Sequence, residues 1–328
     1  MGRVYLNTVL DDAGNSYTTD FAYDTSIVLS THGVGNFCYY PVTTDDEFLY
    51  VVSNRLYKLN KYTFEEASST PGSGDVTYAV PVIYDSDYVY ASDGAAIKKF
   101  DRFGLLLIVS GDYGLTVNSI TQDDTHIYAG GVVGIGSVRK YAKPDMSMTT
   151  ESVNLGAAIQ RVIYDADNDV VHVLRTGTAD TRLQKLQASD LTHVEYASGV
   201  QGGTLVDMKQ DGNYLYILNY EHPNNYLTKV NKTNYQVVDV YVHNTNMCNS
   251  ISIDNIYIYA VDSGNNIRFY NKNGLSSGEI ANYTIPGAVG GSSRGYVDNN
   301  ILVISSDTVS GWRLRNYNYH RKVGNVRI

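Results

Sequence analysis

The chain has 328 residues, 43% of them hydrophobic and 18% charged, with 30 Tyr and a formal charge of −9. A charged fraction below the roughly 25% of an average globular protein, combined with so many aromatics, excludes a disordered chain and a coiled coil. The acidic balance argues against general nucleic-acid binding, which draws on clustered Lys and Arg. No apolar run approaches the roughly 18 residues of a membrane helix, so no membrane insertion is expected.

In chain order, Met1 to Leu10 lacks the basic start and apolar stretch of a signal peptide, and Leu6 stands where a myristoylation signal wants Ser or Thr. Residues 1 to 35 hold two strand-like runs, Val4 to Val9 and Ser26 to Ser30, with the turn Asp11-Asp12-Ala13-Gly14-Asn15 between them. They are expected as an N-terminal arm or a ring-closing strand, completing a sheet of this chain or docking on a neighbouring subunit.

From residue 36 to 328 the sequence repeats. An acidic or Asn-containing turn precedes a short hydrophobic strand whose third residue is usually Tyr, as in Asp45-Asp46-Glu47-Phe48-Leu49-Tyr50, Asp85-Ser86-Asp87-Tyr88-Val89-Tyr90 and Asp123-Asp124-Thr125-His126-Ile127-Tyr128. Anchors at 50, 90, 128, 172, 216, 259 and 303 are 40, 38, 44, 44, 43 and 44 residues apart, the period of four-stranded propeller blades. A third strand carries its own signature, Leu56-Tyr57-Lys58-Leu59-Asn60 in copy one and Leu227-Thr228-Lys229-Val230-Asn231 in copy five. Copies six and seven replace the Lys, at Ile267-Arg268-Phe269-Tyr270-Asn271 and Trp312-Arg313-Leu314-Arg315. Fourth strands follow at Leu105 to Ser110, Val194 to Ser198 and Gln236 to Val242. One such sheet cannot bury both of its faces, whereas radial packing of several does. The expected fold class is all-β, a seven-bladed β-propeller of four-stranded antiparallel blades.

Units such as Phe48-Leu49-Tyr50-Val51-Val52-Ser53 with the Lys-bearing third strand resemble the repeats of PQQ-like and YVTN-type β-propellers. The resemblance covers about nine tenths of the chain and matches turns and strands, without the repeated Trp and Gly contacts of those families. It implies the fold and no cofactor.

The expected inner strands contribute one carboxylate, Asp207, with Arg161, Lys209 and Arg294. Glycosidases need two opposed carboxyl groups, so Arg161, Arg294 and Asp207 are expected as a structural ion pair across a channel, with hydrolysis at Asp207 the lesser alternative. Asp165, Asp167 and Asp169 alternate as in some Ca²⁺ loops and are the metal candidate, although acidic turns recur at this place in every copy. The seven His show no zinc spacing, and His126 and His172 are expected to be packing residues. Gly291-Ser292-Ser293-Arg294-Gly295 matches a nucleophile elbow without the helix such an elbow requires. Cys38 and Cys248 are expected as free, buried thiols on inner strands of copies one and six.

Two features point outward. Tyr beyond the anchors, including Tyr39, Tyr40, Tyr317 and Tyr319, together with Trp312, offer stiff contact area of the kind used in protein and glycan binding. Residues 311 to 328 carry Arg313, Arg315, Arg321, Lys322 and Arg327 and no carboxylate, which leaves a formal −14 on the rest of the chain. The expectation is a non-catalytic structural or attachment propeller whose partners are other protein subunits of a larger assembly. Its Tyr-rich, Lys-poor style resembles virion proteins of tailed bacteriophages, which implies a tail or appendage component located in the virion. The alternative is a glycan- or receptor-binding propeller with a cell-surface glycan as partner.

Overall fold

The structure is a computed structural model. It describes residues 3–5, 9–10, 16–28, 42–52, 55–61, 65–71, 81–114, 116–132, 136–177, 181–244, 247–254, 257–264, 266–284, 294–298, 301–308 and 311–323, with side chains described between 43 and 282.

Short antiparallel strands make up nearly all of it. Three N-terminal strands, β1 (Arg3–Tyr5), β2 (Val9–Leu10) and β3 (Ser16–Val28), precede six four-stranded meanders. Blade one is β4 (Val42–Thr44), β5 (Phe48–Val52), β6 (Leu56–Asn60) and β7 (Glu66–Ser69). Blade two is β8 (Val82–Tyr84), β9 (Tyr88–Ser92), β10 (Ala96–Asp101) and β11 (Leu107–Asp112). Blade three is β12 (Val117–Gln122), β13 (His126–Gly131), β14 (Val138–Ala142) and β15 (Met148–Glu151). Blade four is β16 (Ile159–Asp165), β17 (Val170–Arg175), β18 (Leu183–Gln187) and β19 (His193–Ala197). Blade five is β20 (Thr204–Asp211), β21 (Tyr214–Glu221), β22 (Asn224–Asn231) and β23 (Val237–Asn244). Blade six is β24 (Cys248–Ile253), β25 (Tyr257–Asp262), β26 (Asn266–Asn271) and β27 (Glu279–Thr284).

The expectation of seven four-stranded blades is corrected here: six form. The strands of the seventh copy, β28 (Arg294–Asp298), β29 (Ile301–Thr308) and β30 (Gly311–Val323), enter a six-stranded sheet with β1, β2 and β3. β3 pairs along β30 from Tyr17↔Val323 to Val28↔Arg313, and β1 and β2 pair with the other edge of β3. Within the span of β3 the sequence marked a strand only from Ser26 onward, beside the earlier run Val4 to Val9. Ser16–Val28 forms one because Tyr17, Thr19, Phe21 and Tyr23 alternate with Thr18, Asp20, Ala22 and Asp24, a period-two pattern in a polar stretch. First strands of successive sheets stand side by side, and β28 stands beside both β24 and β4.

Each blade is held by the residues that define the repeat. In the turn, Asp45 Oδ1 accepts from the backbone N–H groups of Glu47 and Phe48 (2.8 and 2.6 Å), while its Oδ2 accepts from the Tyr50 hydroxyl (2.8 Å). Asp85 with Tyr90 and Asp123 with Tyr128 repeat this arrangement, and Tyr259 donates in the same way to Asp254. The Asp therefore shapes the hairpin and fixes the anchor Tyr in one stroke. A cation from the next blade completes the lock: Arg102 on Asp45 (2.6 Å), Lys143 on Asp85 (3.2 Å), Lys232 on Asp165 (2.8 Å), and Lys272 on Asp211. Between blades three and four that position is Ala188, and His126 of the same blade lies 3.5 Å from Asp123.

The signature Lys of the third strand is a second inter-blade tie. Lys58, Lys99, Lys140 and Lys229 each donate to a backbone carbonyl of the following blade, at Arg102, Lys143, Ala188 and Lys272 (2.9, 2.9, 2.9 and 3.0 Å). A β-bulge follows each of these Lys in the pairing with the fourth strand, a device that re-aims side chains. Lys99 also lies 3.7 Å from the Tyr88 ring centroid, which offsets part of the cost of burying its charge. Replacing Lys99 by Met removes a charge-assisted bond, and a loss of about 1.5–3 kcal/mol in urea unfolding is expected. A loss below about 0.5 kcal/mol would place the lysine among ordinary surface ion pairs.

Hydrophobic closure is equally repetitive. Leu105, Met146, Leu191 and Tyr235 sit in the left-handed region (φ 56, 56, 60 and 57°), each donating its N–H to the carbonyl four residues back. Strain at a non-glycine residue there is offset by burial: Leu105 packs with Tyr50, Met146 with Tyr90, and Leu191 with Tyr128, each the anchor Tyr of the preceding blade.

Candidate functional site

Counting four residues back from the turn Asp of each copy gives Pro41, Pro81, Ser119, Arg161, Asp207, Ser250 and Arg294. The three residues singled out for channel chemistry thus share one repeat position, and Ser119, Arg161 and Asp207 of that position bridge inner strands. Ser119 Oγ accepts the Val162 N–H of the next blade (3.0 Å). Arg161 Nε donates to Asp207 Oδ1 (2.9 Å) and its Nη2 to the Val206 carbonyl (3.0 Å), while Asp207 Oδ2 accepts the Ile251 N–H (3.1 Å). One ion pair therefore ties blades four, five and six.

Both partners are buried, Asp207 at 2% exposure and Arg161 at 6%. Burial alone would raise the Asp207 pKa, but Lys209, Arg161 and the Ile251 N–H together hold it below the ordinary carboxylate value. A general acid needs the reverse, a carboxyl held above its ordinary value. Arg294 opens β28, and its side chain lies outside the described residues, as do Tyr39 and Tyr40. The Gly291 to Gly295 pattern also lies largely outside them.

Asp165, Asp167 and Asp169 do not converge. Among the described residues no group of three or more His, Cys, Asp or Glu is placed to hold a metal ion. Asp165 points inward, where it meets Lys232 Nζ, Asn168 Nδ2 (2.7 Å) and His172 Nε2 (3.3 Å). Asp167 is largely exposed, and Asp169 Oδ1 accepts from the Tyr164 hydroxyl (3.1 Å). The acidic alternation serves the turn, with His172 standing where other copies have Tyr. His172 Nδ1 meets the Tyr235 hydroxyl at 2.8 Å and the two rings stack. This Asp-His-Tyr series is fully enclosed, so it carries packing rather than chemistry on a substrate.

Sequence reasoning missed a cluster in blade six, although the departure from the third-strand Lys at Arg268 was its signal. Arg268 Nη2 lies 2.8 Å from Asp262 Oδ2 and its Nη1 2.6 Å from Glu279 Oε2, with His243 Nε2 3.6 Å from the same Glu279 oxygen. Tyr241 stacks on His243 and Tyr270 meets it edge-on. Cys248 is a free, buried thiol, pushed up to about 12 by burial and then by Asp262. Burial and then Arg268 hold His243 below the ordinary histidine value, against the pull of Glu279 and Asp262. Burial does the same to His172 despite Asp165. The unfolded chain therefore takes up these two protons near pH 6.5 while the folded chain resists them, so stability is present above that pH and is lost as pH falls through it. Asp45, Asp85, Asp123, Asp165 and Asp207, all held low when folded, add a second loss below about pH 4. Urea midpoints from pH 8 to 3 are expected to fall in these two stages, and a midpoint that rises between pH 7 and 5 would contradict both assignments.

The Tyr excess turns inward. Anchors Tyr50, Tyr90, Tyr128, Tyr216 and Tyr259 are buried, and among the described side chains Tyr196 is the one exposed Tyr. Within residues 43–282 the anchor rings fill the space between blades, while non-anchor rings such as Tyr84, Tyr164, Tyr220 and Tyr241 are half-buried. Trp312, Tyr317 and Tyr319 lie along β30, their side chains outside the described residues.

No protein-family model and no curated protein matches the chain. Among solved structures it is similar to the computationally designed Ika8 protein, in the crystal structure of its packing No.1 in P63. The two are 8% identical with a TM-score of 0.60 over 85% of this chain and 95% of that one. Likeness at that identity concerns architecture alone, which in this chain is four-stranded antiparallel blades packed side by side. The fold is a β-propeller. In this propeller Arg161 and Asp207, the inner-strand ion pair singled out from the sequence, act as a tie between blades.

Proposed function

We propose that the chain is a non-catalytic attachment propeller in a larger protein assembly, a bacteriophage tail or appendage being the kind of particle that suits it. The six-stranded sheet would hold a seventh place in the ring, with β3 as its fourth strand, which keeps the seven-fold repeat and the likeness to YVTN-type propellers in one scheme. The observation that carries the attachment reading is the length of the β3–β30 ribbon. β29 pairs with β30 only from Gly311 to Asn318, whereas residues 319–323 continue along β3. Among the described residues no strand occupies their other edge. That segment lies in the stretch with five basic residues and no carboxylate, which suits an acidic extended segment of a partner subunit adding a strand.

A labelled 12-residue poly-glutamate peptide tests this by fluorescence anisotropy. The full chain is expected to bind it in a salt-sensitive way, and a chain ending at residue 318 at least tenfold more weakly. Absence of peptide binding, or equal binding by both chains, overturns the reading. Retention of a sugar on a glycan array would support instead the glycan-binding alternative.

A further inference from the structure

We propose that the outer edge of blade two is an interface between two copies of this chain. Phe103, Leu106, Leu107 and Ile108 are 80, 62, 49 and 53% exposed at one place. β11 pairs with β10 alone, and among the described residues no strand covers its outer edge. Natural edge strands are protected by charge. The outer strands β7, β15, β19, β23 and β27 carry carboxylates at Glu66, Glu151, Glu195, Asp239 and Glu279, and β11 carries one at its last residue, Asp112, which leaves residues 103–111 as an uncharged stretch.

That neutrality selects the occupant. A two-fold contact places the patch against itself, and here it sets no like charges opposite one another even though the chain is acidic overall. The four side chains present on the order of 400 Å² of apolar surface per copy, and about 800 Å² for a pair before the rim is added, close to the roughly 1,000 Å² that a specific contact needs. Phe103 at the tip lies 5.9 Å from Lys58 Nζ and supplies an aromatic anchor. A glycine inside the patch tightens it: Gly104 O accepts from Ser68 Oγ of blade one, which fixes the turn that presents Phe103 and Leu106. The inference goes beyond the attachment reading and does not rest on it.

Sedimentation velocity on the full chain between 1 and 200 μM, with a thermal melt of each variant, tests it. The wild-type chain is expected to form dimers over this range. Leu106→Lys and Leu106→Glu should each remain monomeric with unchanged melting, since Leu106 is exposed, and a one-to-one mixture of the two should recover dimer. A wild-type chain that stays monomeric to 200 μM overturns the proposal. So do Lys and Glu variants that dimerise as well as wild type, or a mixture that fails to recover dimer. Neither Leu106 variant should change poly-glutamate binding, which separates this test from that of the attachment reading.

Discussion

Asp207→Ala is expected to cost about 3–5 kcal/mol, the largest loss of any single substitution in the inner ring. The reason is what remains: Arg161 keeps its charge in a buried place, and the Ile251 N–H loses its acceptor. Arg161→Met should be comparably damaging, since it strands the carboxylate. The double variant Arg161→Met with Asp207→Leu should regain most of the loss, because apolar side chains of similar volume often replace a buried ion pair without penalty. Urea unfolding of the two single variants and the double variant gives the coupling energy directly. Single-variant losses that simply add would show that the pair is not the tie between blades four, five and six described above.

Lys232→Met is the second large effect, again about 3–5 kcal/mol at pH 8, because it leaves Asp165 enclosed with a neutral His172 and Asn168. Its pH dependence distinguishes it from Asp207→Ala. Lys232 helps to keep the His172 pKa low, so removing it lets His172 charge beside Asp165. A histidine whose folded pKa rises contributes stability that is present at low pH and lost as pH climbs through that value. The deficit of Lys232→Met relative to wild type should therefore be smaller at pH 5.5 than at pH 8. A deficit that grows on acidification would mean that His172 does not take over from the lysine.

Much of this architecture is legible in the repeat. The turn Asp, the Tyr strand and the third-strand Lys recur because these side chains perform the same tasks from junction to junction, shaping a hairpin, filling the space between blades and reaching the next carbonyl; His172 replaces the Tyr in blade four and Arg268 the Lys in blade six. What the periodicity does not carry is where each side chain points. The anchor Tyr pack beneath Leu105, Met146 and Leu191 of the following blade, a direction that the repeat spacing alone does not indicate. Asp207 reads as part of an ion pair with Arg161 and Arg294, and aligning the copies on the turn Asp places it with Ser119 and Arg161 at one repeat position. The cluster of Asp262, Arg268, Glu279 and His243 stays hidden because its members come from two blades, with only the lost Lys as a signal. The N-terminal strand is longer than its apolar residues indicate, since backbone pairing with β30 carries Thr18, Asp20 and Asp24 into the sheet with little hydrophobic support.

The most direct test of the central claim is a thermal melt of the full chain beside one lacking residues 1–28, with light scattering on both. If β3 serves as the closing strand of the seventh place, the shortened chain loses the hydrogen-bonded partner of β30 from Arg313 onward and melts at least about 10 °C lower, with the blade-two dimer unaffected while folded. An unchanged melting temperature would contradict the account and leave β3 as an accessory arm on a ring that closes without it.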